Sequence, residues 1–394
     1  MHQVLRRFFM LMMLALLLAF HGCAPAREVR IGFLASLSGK NAHVGKTAQL
    51  ALIDRVQEIN RRGGIGGYPV RLITSDSRGE VADASAAARR LVRAGVIAII
   101  GPEWSAAAIP VAEIASAERV PVIATTASSE QVTADKAGRA QPYMFRVCFT
   151  DTYQGRALAD FAYHDLGYRR VAFLTNSNEI YSVGIQRAFD GHFRGLGGTT
   201  TAREDYLPNT LDFAPQIKRI ARSAPDALVI PSAQYRDVAD ITRQAAEIDD
   251  RLRYLGVDAW AVESLLQVAG PALEGAYLSS GFSPIQPQFA AFNHEFEERH
   301  GLLPNTYTYY ALDALYALEQ AVATAVEVTG SPEGTDTRQA IRNALETLHD
   351  APVFTGVISI DPKTHNPRGQ PILILKVSGG TFEVVKTYTP EMTP

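Results

Sequence analysis

Three places in this 394-residue sequence put short polar side chains where a β-rich run gives way to a helix-forming one. The run VIAII ends at Gly101-Pro102 and leads through Glu103 and Trp104 into Ser105 and three alanines. The run VPVIA leads into Thr125, Thr126, Ala127, Ser128 and Ser129, and RYLGV leads into Asp258. Ser105 has three possible uses: a nucleophile, a helix cap or a hydrogen-bond donor to a ligand. Ser and Thr at such positions cap helices by accepting N–H bonds. Together with the free N–H groups of a helix start they also hold anions such as a carboxylate. An acid such as Asp258 at a strand end suits a cation.

Catalytic signatures are weak. Ser105 lacks the Gly-x-Ser-x-Gly elbow, since Glu103 and Ala107 stand two residues away on either side. GGIGG at 63–67 follows a helix pattern and precedes a strand, the reverse of a dinucleotide fingerprint, and reads as a helix stop and turn. No Gly-x-x-x-x-Gly-Lys-Ser/Thr loop occurs. The nine histidines show no metal-ligand spacing. No enzyme activity, metal or cofactor is expected.

These residues need elements to carry them. From Val29, β-rich runs alternate with helix-period segments. In 44–62, Val44, Ala48, Leu52, Val56 and Ile59 share one helical face, and Gly63-Gly64 ends it. Pro110 has no N–H and is tolerated in a first helical turn, which predicts a helix start between 106 and 108 with Ser105 at its mouth. The alternation continues through RYLGVDAW. Three consecutive helices are then expected over 288–299, 307–326 and 337–348, before strands return in FTGVISI and in a hairpin turning at Gly379-Gly380. Such βαβα order predicts α/β architecture with doubly wound parallel sheets, helices on both faces, and ligands at the carboxyl ends of strands. The length points to two domains.

The N-terminus reads as a targeting segment. Arg6 and Arg7 precede an apolar run from Phe8 to Phe20, shorter than the ~20 residues a membrane span needs. Residues 1–22 are expected to be a signal peptide. Gly22-Cys23 resembles the end of a bacterial lipobox, with Cys23 lipidated, although Phe20 and His21 depart from that pattern. Ala24-Pro25-Ala26 is a competing site for ordinary signal peptidase. Removing 1–22 takes away two arginines and no acid, so the formal charge moves from −3 to −5. No basic run invites nucleic acid. Cys148, the other of two cysteines, sits in the apolar run YMFRVCF and reads as a buried strand thiol.

Several stretches together resemble the periplasmic leucine/isoleucine/valine-binding proteins, the substrate-binding components of branched-chain amino acid ABC transporters. They are LASLSGKNAHVGKTAQLALIDRVQEINRRGGIGGYPVRLITSDS, IIGPEWSAAAIPVAEIASAERVPVIATTASSEQV, FRVCFTDTYQG, LTNSNEIYSVG and LGVDAW. The resemblance implies a type I periplasmic binding fold, with two lobes joined by three crossings at 143–151, 276–283 and 353–360. Residues 27–146 and 280–352 would form one lobe, and 147–279 and 353–390 the other. It also implies that Ser105 bonds a ligand carboxylate, with Thr126, Ala127 and Ser128 contributing from the same lobe. Tyr181 and either Gln234 or Tyr235 would cover the ligand, and Asp258 would pair with its ammonium. Some relatives carry a disulfide where this chain has Gly79 and Trp104, so that bridge is absent; Trp104, bulky beside the site, is expected either to line or narrow the side-chain pocket or to pack at its rim. The implied function is capture of a branched-chain or other aliphatic amino acid at the outer face of the membrane and delivery to permease subunits. The alternatives are an amide, urea or aromatic-acid ligand, or a sensory role with a separate partner.

Overall fold

The structure is a computed structural model that describes residues 27–39, 41–135 and 137–388. The expected signal peptide and Cys23 lie outside the described residues. No described helix is long and apolar enough to cross a membrane.

The first sheet follows the expected alternation: β1 (Val29–Ala35), α1 (Ala42–Arg61), β2 (Val70–Asp76), α2 (Val81–Arg93), β3 (Ala98–Ile100), α3 (Ser105–Glu118), β4 (Val122–Ala124) and β5 (Met144–Arg146). The strands are parallel in the order β2-β1-β3-β4-β5. Side chains of a strand alternate between faces. Val29, Ile31, Phe33 and Ala35 accordingly enter one apolar core, while Leu34 and Ile99 enter the core on the other face, with α2 and α3.

After β5 the chain passes to a second sheet through α4 (Asp151–Asp160), whose start is capped by Thr150 Oγ1 accepting the Tyr153 N–H. There follow β6 (Arg170–Asn176), α5 (Ile180–Gly195), β7 (Thr199–Tyr206), α6 (Ala214–Arg222), β8 (Ala227–Val229), α7 (Tyr235–Ile248), β9 (Tyr254–Gly256), α8 (Glu263–Ala269) and β10 (Tyr277–Ser280). The chain then returns to the first sheet with α9 (Ala290–His300), α10 (Thr306–Thr329) and α11 (Thr335–Glu346). Asn305 and Thr308 start α10 with a reciprocal capping box, which places Thr306 and Tyr307 in its first turn. The central Ala- and Leu-rich face of α10 packs on α1 beneath the first sheet.

Val353–Ile360, expected as the third crossing, belongs instead to a small antiparallel sheet of β11 (Ala351–Val353), β12 (Gly356–Ile360) and β13 (Pro367–Arg368). Val353, Ile358 and Ile360 fill the same core as α10 and α11. Asp313 of α10 pins the hairpin by accepting the Thr355 N–H at 2.8 Å and its hydroxyl at 2.7 Å. The chain reaches the second sheet only after β13. There β14 (Ile372–Ser378) and β15 (Thr381–Tyr388) add an antiparallel edge, in the order β15-β14-β10-β9-β8-β6-β7.

Pro110 is a second departure. The helix begins at Ser105, with Trp104 as its N-cap, so Pro110 lies in the second turn. The carbonyl deprived of its helical donor is that of Ala106, four residues earlier, an exposed residue.

Candidate ligand-binding cleft

A cleft of about 400 Å³ lies between the carboxyl ends of the two sheets. That size suits a small organic ligand, for which pockets of about 300–1,000 Å³ are usual. Trp104, Ser105, Ala106 and Thr126 line it from the first sheet; Asn176, Glu179, Tyr181, Gln234 and Asp258 line it from the second. Thr306 and Tyr307 close it from α10.

Close backbone packing builds the first wall. Gly101 has φ +98°, and a Cβ there would stand 2.0 Å from the Leu34 carbonyl oxygen, so only glycine lets β3 turn beside β1. The turn delivers Glu103, Trp104 and Ser105. Ser105 Oγ accepts the Ser129 N–H at 3.2 Å, which leaves its own proton free to donate. Thr126 Oγ1 donates to the Glu103 carbonyl at 2.8 Å and ties the two loops together. Below them Arg146, fully buried, donates to the carbonyls of Ala127 at 2.9 Å and Ser129 at 2.8 Å, and to Thr133 Oγ1 at 3.0 Å.

The second wall centres on Asp258. Gly256 before it cannot carry a side chain, because a Cβ would fall 2.2 Å from the Trp260 ring. Asp258 Oδ1 accepts the Tyr181 hydroxyl at 2.5 Å and the Gln154 amide at 2.6 Å. Burial raises its carboxyl above the ordinary range, and those two bonds oppose the rise. Burial and the neighbouring Asp258 charge push the Tyr181 phenol well up, so it stays a donor.

Six of the residues singled out from sequence therefore line one cleft: Trp104, Ser105, Thr126, Tyr181, Gln234 and Asp258. Three do not. Ser128 is buried, and its hydroxyl donates to Asp151 Oδ1 at 2.6 Å, away from the cleft. Ala127 is fully buried, with its carbonyl held by Arg146. Of the pair Gln234 or Tyr235, Gln234 is the lining residue; Tyr235 sets its ring edge-on to His43 at 5.6 Å, a contact between the two halves. Trp104 does line the cleft. Its indole N–H donates to Ser36 Oγ at 3.1 Å, and its ring tilts against Tyr307 at 5.7 Å. Gly79, the other position of the missing disulfide, lies in the same wall.

Sequence reasoning passed over Glu103, Glu179, Thr306 and Tyr307. Glu103 and Glu179 follow β3 and β6 as Asp258 follows β9, so the rule that selected Asp258 also applied to them. Thr306 and Tyr307 sit on a helix that follows no strand, and that rule says nothing about them.

Comparisons with known proteins agree with this fold. Residues 28–381 match the family model described as periplasmic binding protein. The Leu/Ile/Val-binding protein BraC3 of Rhizobium johnstonii is 24% identical over 342 residues, covering 87% of this chain and 89% of that protein. The branched-chain amino acid transporter substrate binding protein LivJ of Streptococcus pneumoniae, solved with isoleucine, superposes with a TM-score of 0.80 at 25% identity, covering 92% of this chain and all of that one. A solute binding protein of an R. palustris ABC transporter, solved with benzoate, shares the fold at 20% identity and a TM-score of 0.78, covering 92% of this chain and 97% of its own. These relatives are binding proteins. With two α/β halves closing on a polar cleft, and a family match over nearly all its described length, the chain belongs to the periplasmic binding protein family and has its type I fold.

Proposed function

We propose that this protein captures an α-amino acid in the cleft and delivers it to the permease of an ABC importer. The observation that carries the reading is the buried Asp258 carboxylate, oriented by Tyr181 and Gln154, in a cleft whose other wall offers the Ser105 hydroxyl and the start of α3. One wall suits an ammonium and the other a carboxylate. Each half-site alone holds half the ligand, so binding favours the closed arrangement of the lobes. The relatives named for leucine, isoleucine and valine support an amino acid, and the mixed aromatic and polar lining leaves its side chain to be settled by titration. Aromatic acids fit less well, because they bring an anion and no ammonium to a cleft that holds Glu103, Glu179 and Asp258.

Isothermal titration of the mature protein with the twenty amino acids tests this directly. Saturable binding of at least one is expected, and binding of none overturns it. A sensory role would use the same cleft, and transport is supported where permease and ATPase genes adjoin this one. The lipid anchor is proposed from Gly22-Cys23 alone, and the intact mass of the membrane-extracted protein checks it.

A further inference from the structure

The cleft gathers carboxyl groups; burial raises those of Glu103 and Glu179 above their ordinary range, and a bound cation favours their charged forms. Glu103, Glu179 and Asp258 reach it from three strand ends, Glu80 stands exposed at its rim, and no Lys, Arg or His is among the described residues that line it. A clefted field of one sign concentrates ligands of the other. An amino acid with an uncharged side chain brings a single ammonium, which Asp258 answers. It leaves the other two carboxyls without a cation.

Those two are built into the walls. Glu103 is 4% exposed; its Oε1 accepts the Ser36 N–H at 2.7 Å, and its Oε2 is buried without a partner. A buried carboxyl oxygen left unmatched is costly, and a ligand donor would relieve it. Glu179 Oε2 is held by the Ser182 hydroxyl and by the Ala233 N–H at 3.3 Å, which steadies the carboxyl at the cleft wall. Tyr307 lines the same cleft as the three acids, with its ring against Trp104. The Trp104 and Tyr307 rings beside them offer faces that attract cations. The acids are spread around the cleft rather than gathered on one ion: no group of three or more His, Cys, Asp or Glu among the described residues could hold a metal.

Resting on the amino-acid reading above, we infer that the ligand carries a second cationic group, an amine or guanidine at the end of its side chain, received between Glu103 of one half and Glu179 of the other. The substrate class is then the dibasic amino acids, and the two glutamates are its specificity residues.

Calorimetry on the mature, ligand-stripped protein compares lysine with norleucine and arginine with citrulline, pairs close in shape and different in charge. The basic member of each pair is expected to bind at least tenfold tighter. Glu179→Gln is expected to cost the basic ligand at least fivefold more than the neutral one. Glu103→Gln, checked for folding by its thermal transition, is expected to do the same. Equal or tighter binding of norleucine and citrulline overturns the inference, as does a Glu179→Gln loss that is the same for both members. If neutral amino acids bind and basic ones do not, only this inference fails; if no amino acid of either kind binds, the proposed function fails with it.

Discussion

The Tyr181 hydroxyl donates to Asp258 Oδ1 at 2.5 Å, joining the first turn of α5 to the strand end after β9. The Gln154 amide, from the helix that follows the first passage between sheets, meets the same oxygen. Two neutral donors thus hold a buried carboxylate in one orientation without neutralising it, and the charge stays available to a ligand cation.

Asp258→Asn should weaken amino-acid binding steeply. Removing one partner of a buried, hydrogen-bonded charge pair costs about 2–5 kcal/mol, and each ~1.4 kcal/mol is tenfold in affinity. A loss of about 30-fold or more is expected by calorimetry. Wild-type affinity in the variant would mean a ligand without an ammonium, such as an amide.

Binding should release protons. Burial holds the Asp258 carboxyl above its ordinary range in the free protein, while a bound ammonium favours its charged form. Affinity therefore falls as the pH drops through the free-protein value, and protons leave on binding in the window just below it. Titrations in buffers of different ionisation enthalpy measure the count, and Asp258→Asn should reduce it.

Asp313 predicts a pH-dependent stability of opposite sign to the usual carboxylate. Burial pushes it up to about 7, against the pull of its Thr355 bonds. The folded protein then binds more protons than the unfolded chain between roughly pH 4 and pH 7, so this group's contribution to stability falls as pH rises through that window. The loss is on the order of 4 kcal/mol at most, at about 1.4 kcal/mol per pH unit. Urea unfolding of Asp313→Asn at pH 4.5 and pH 7.5 should show a smaller decline than the parent; an unchanged decline would refute the assignment.

Arg146→Met should destabilise the protein by about 3–5 kcal/mol. It leaves the buried Ala127 carbonyl unpaired, at about 1–3 kcal/mol, and removes one of two partners from the Ser129 carbonyl, which keeps the Val132 N–H, and from the Thr133 hydroxyl, which keeps Asn366, at about 0.5–1.5 kcal/mol each. The urea midpoint should fall, and ligand affinity with it, because the loop that carries Thr126 loses its anchor.

Trp104→Ala should cost about 2 kcal/mol, less than the ~3–5 kcal/mol of a core Trp, since the ring is half-buried. The same change should widen the ligand range towards bulkier side chains. A thermal melt and a ligand panel read both effects, and an unaltered panel would remove Trp104 from the specificity pocket.

The parallel sheets, most helices, and Ser105 and Asp258 at strand ends were legible in the sequence because they follow from short-range rules. Apolar period sets helix or strand, glycine and proline mark the turns, and a strand end leading into a helix makes a mouth. The alternation of FTGVISI was legible too, but its destination was not: whether Ile358 and Ile360 cover the first core or join the second sheet depends on which apolar face lies open when the chain closes. Side-chain direction was hidden for the same reason. Ser128 turns to Asp151 rather than to the cleft, and Gln234 rather than Tyr235 lines it. Glu103 and Glu179, 76 positions apart in sequence, become one site only when two sheets meet. Local preference is written residue by residue; what two distant strand ends do together depends on the packing that brings them face to face.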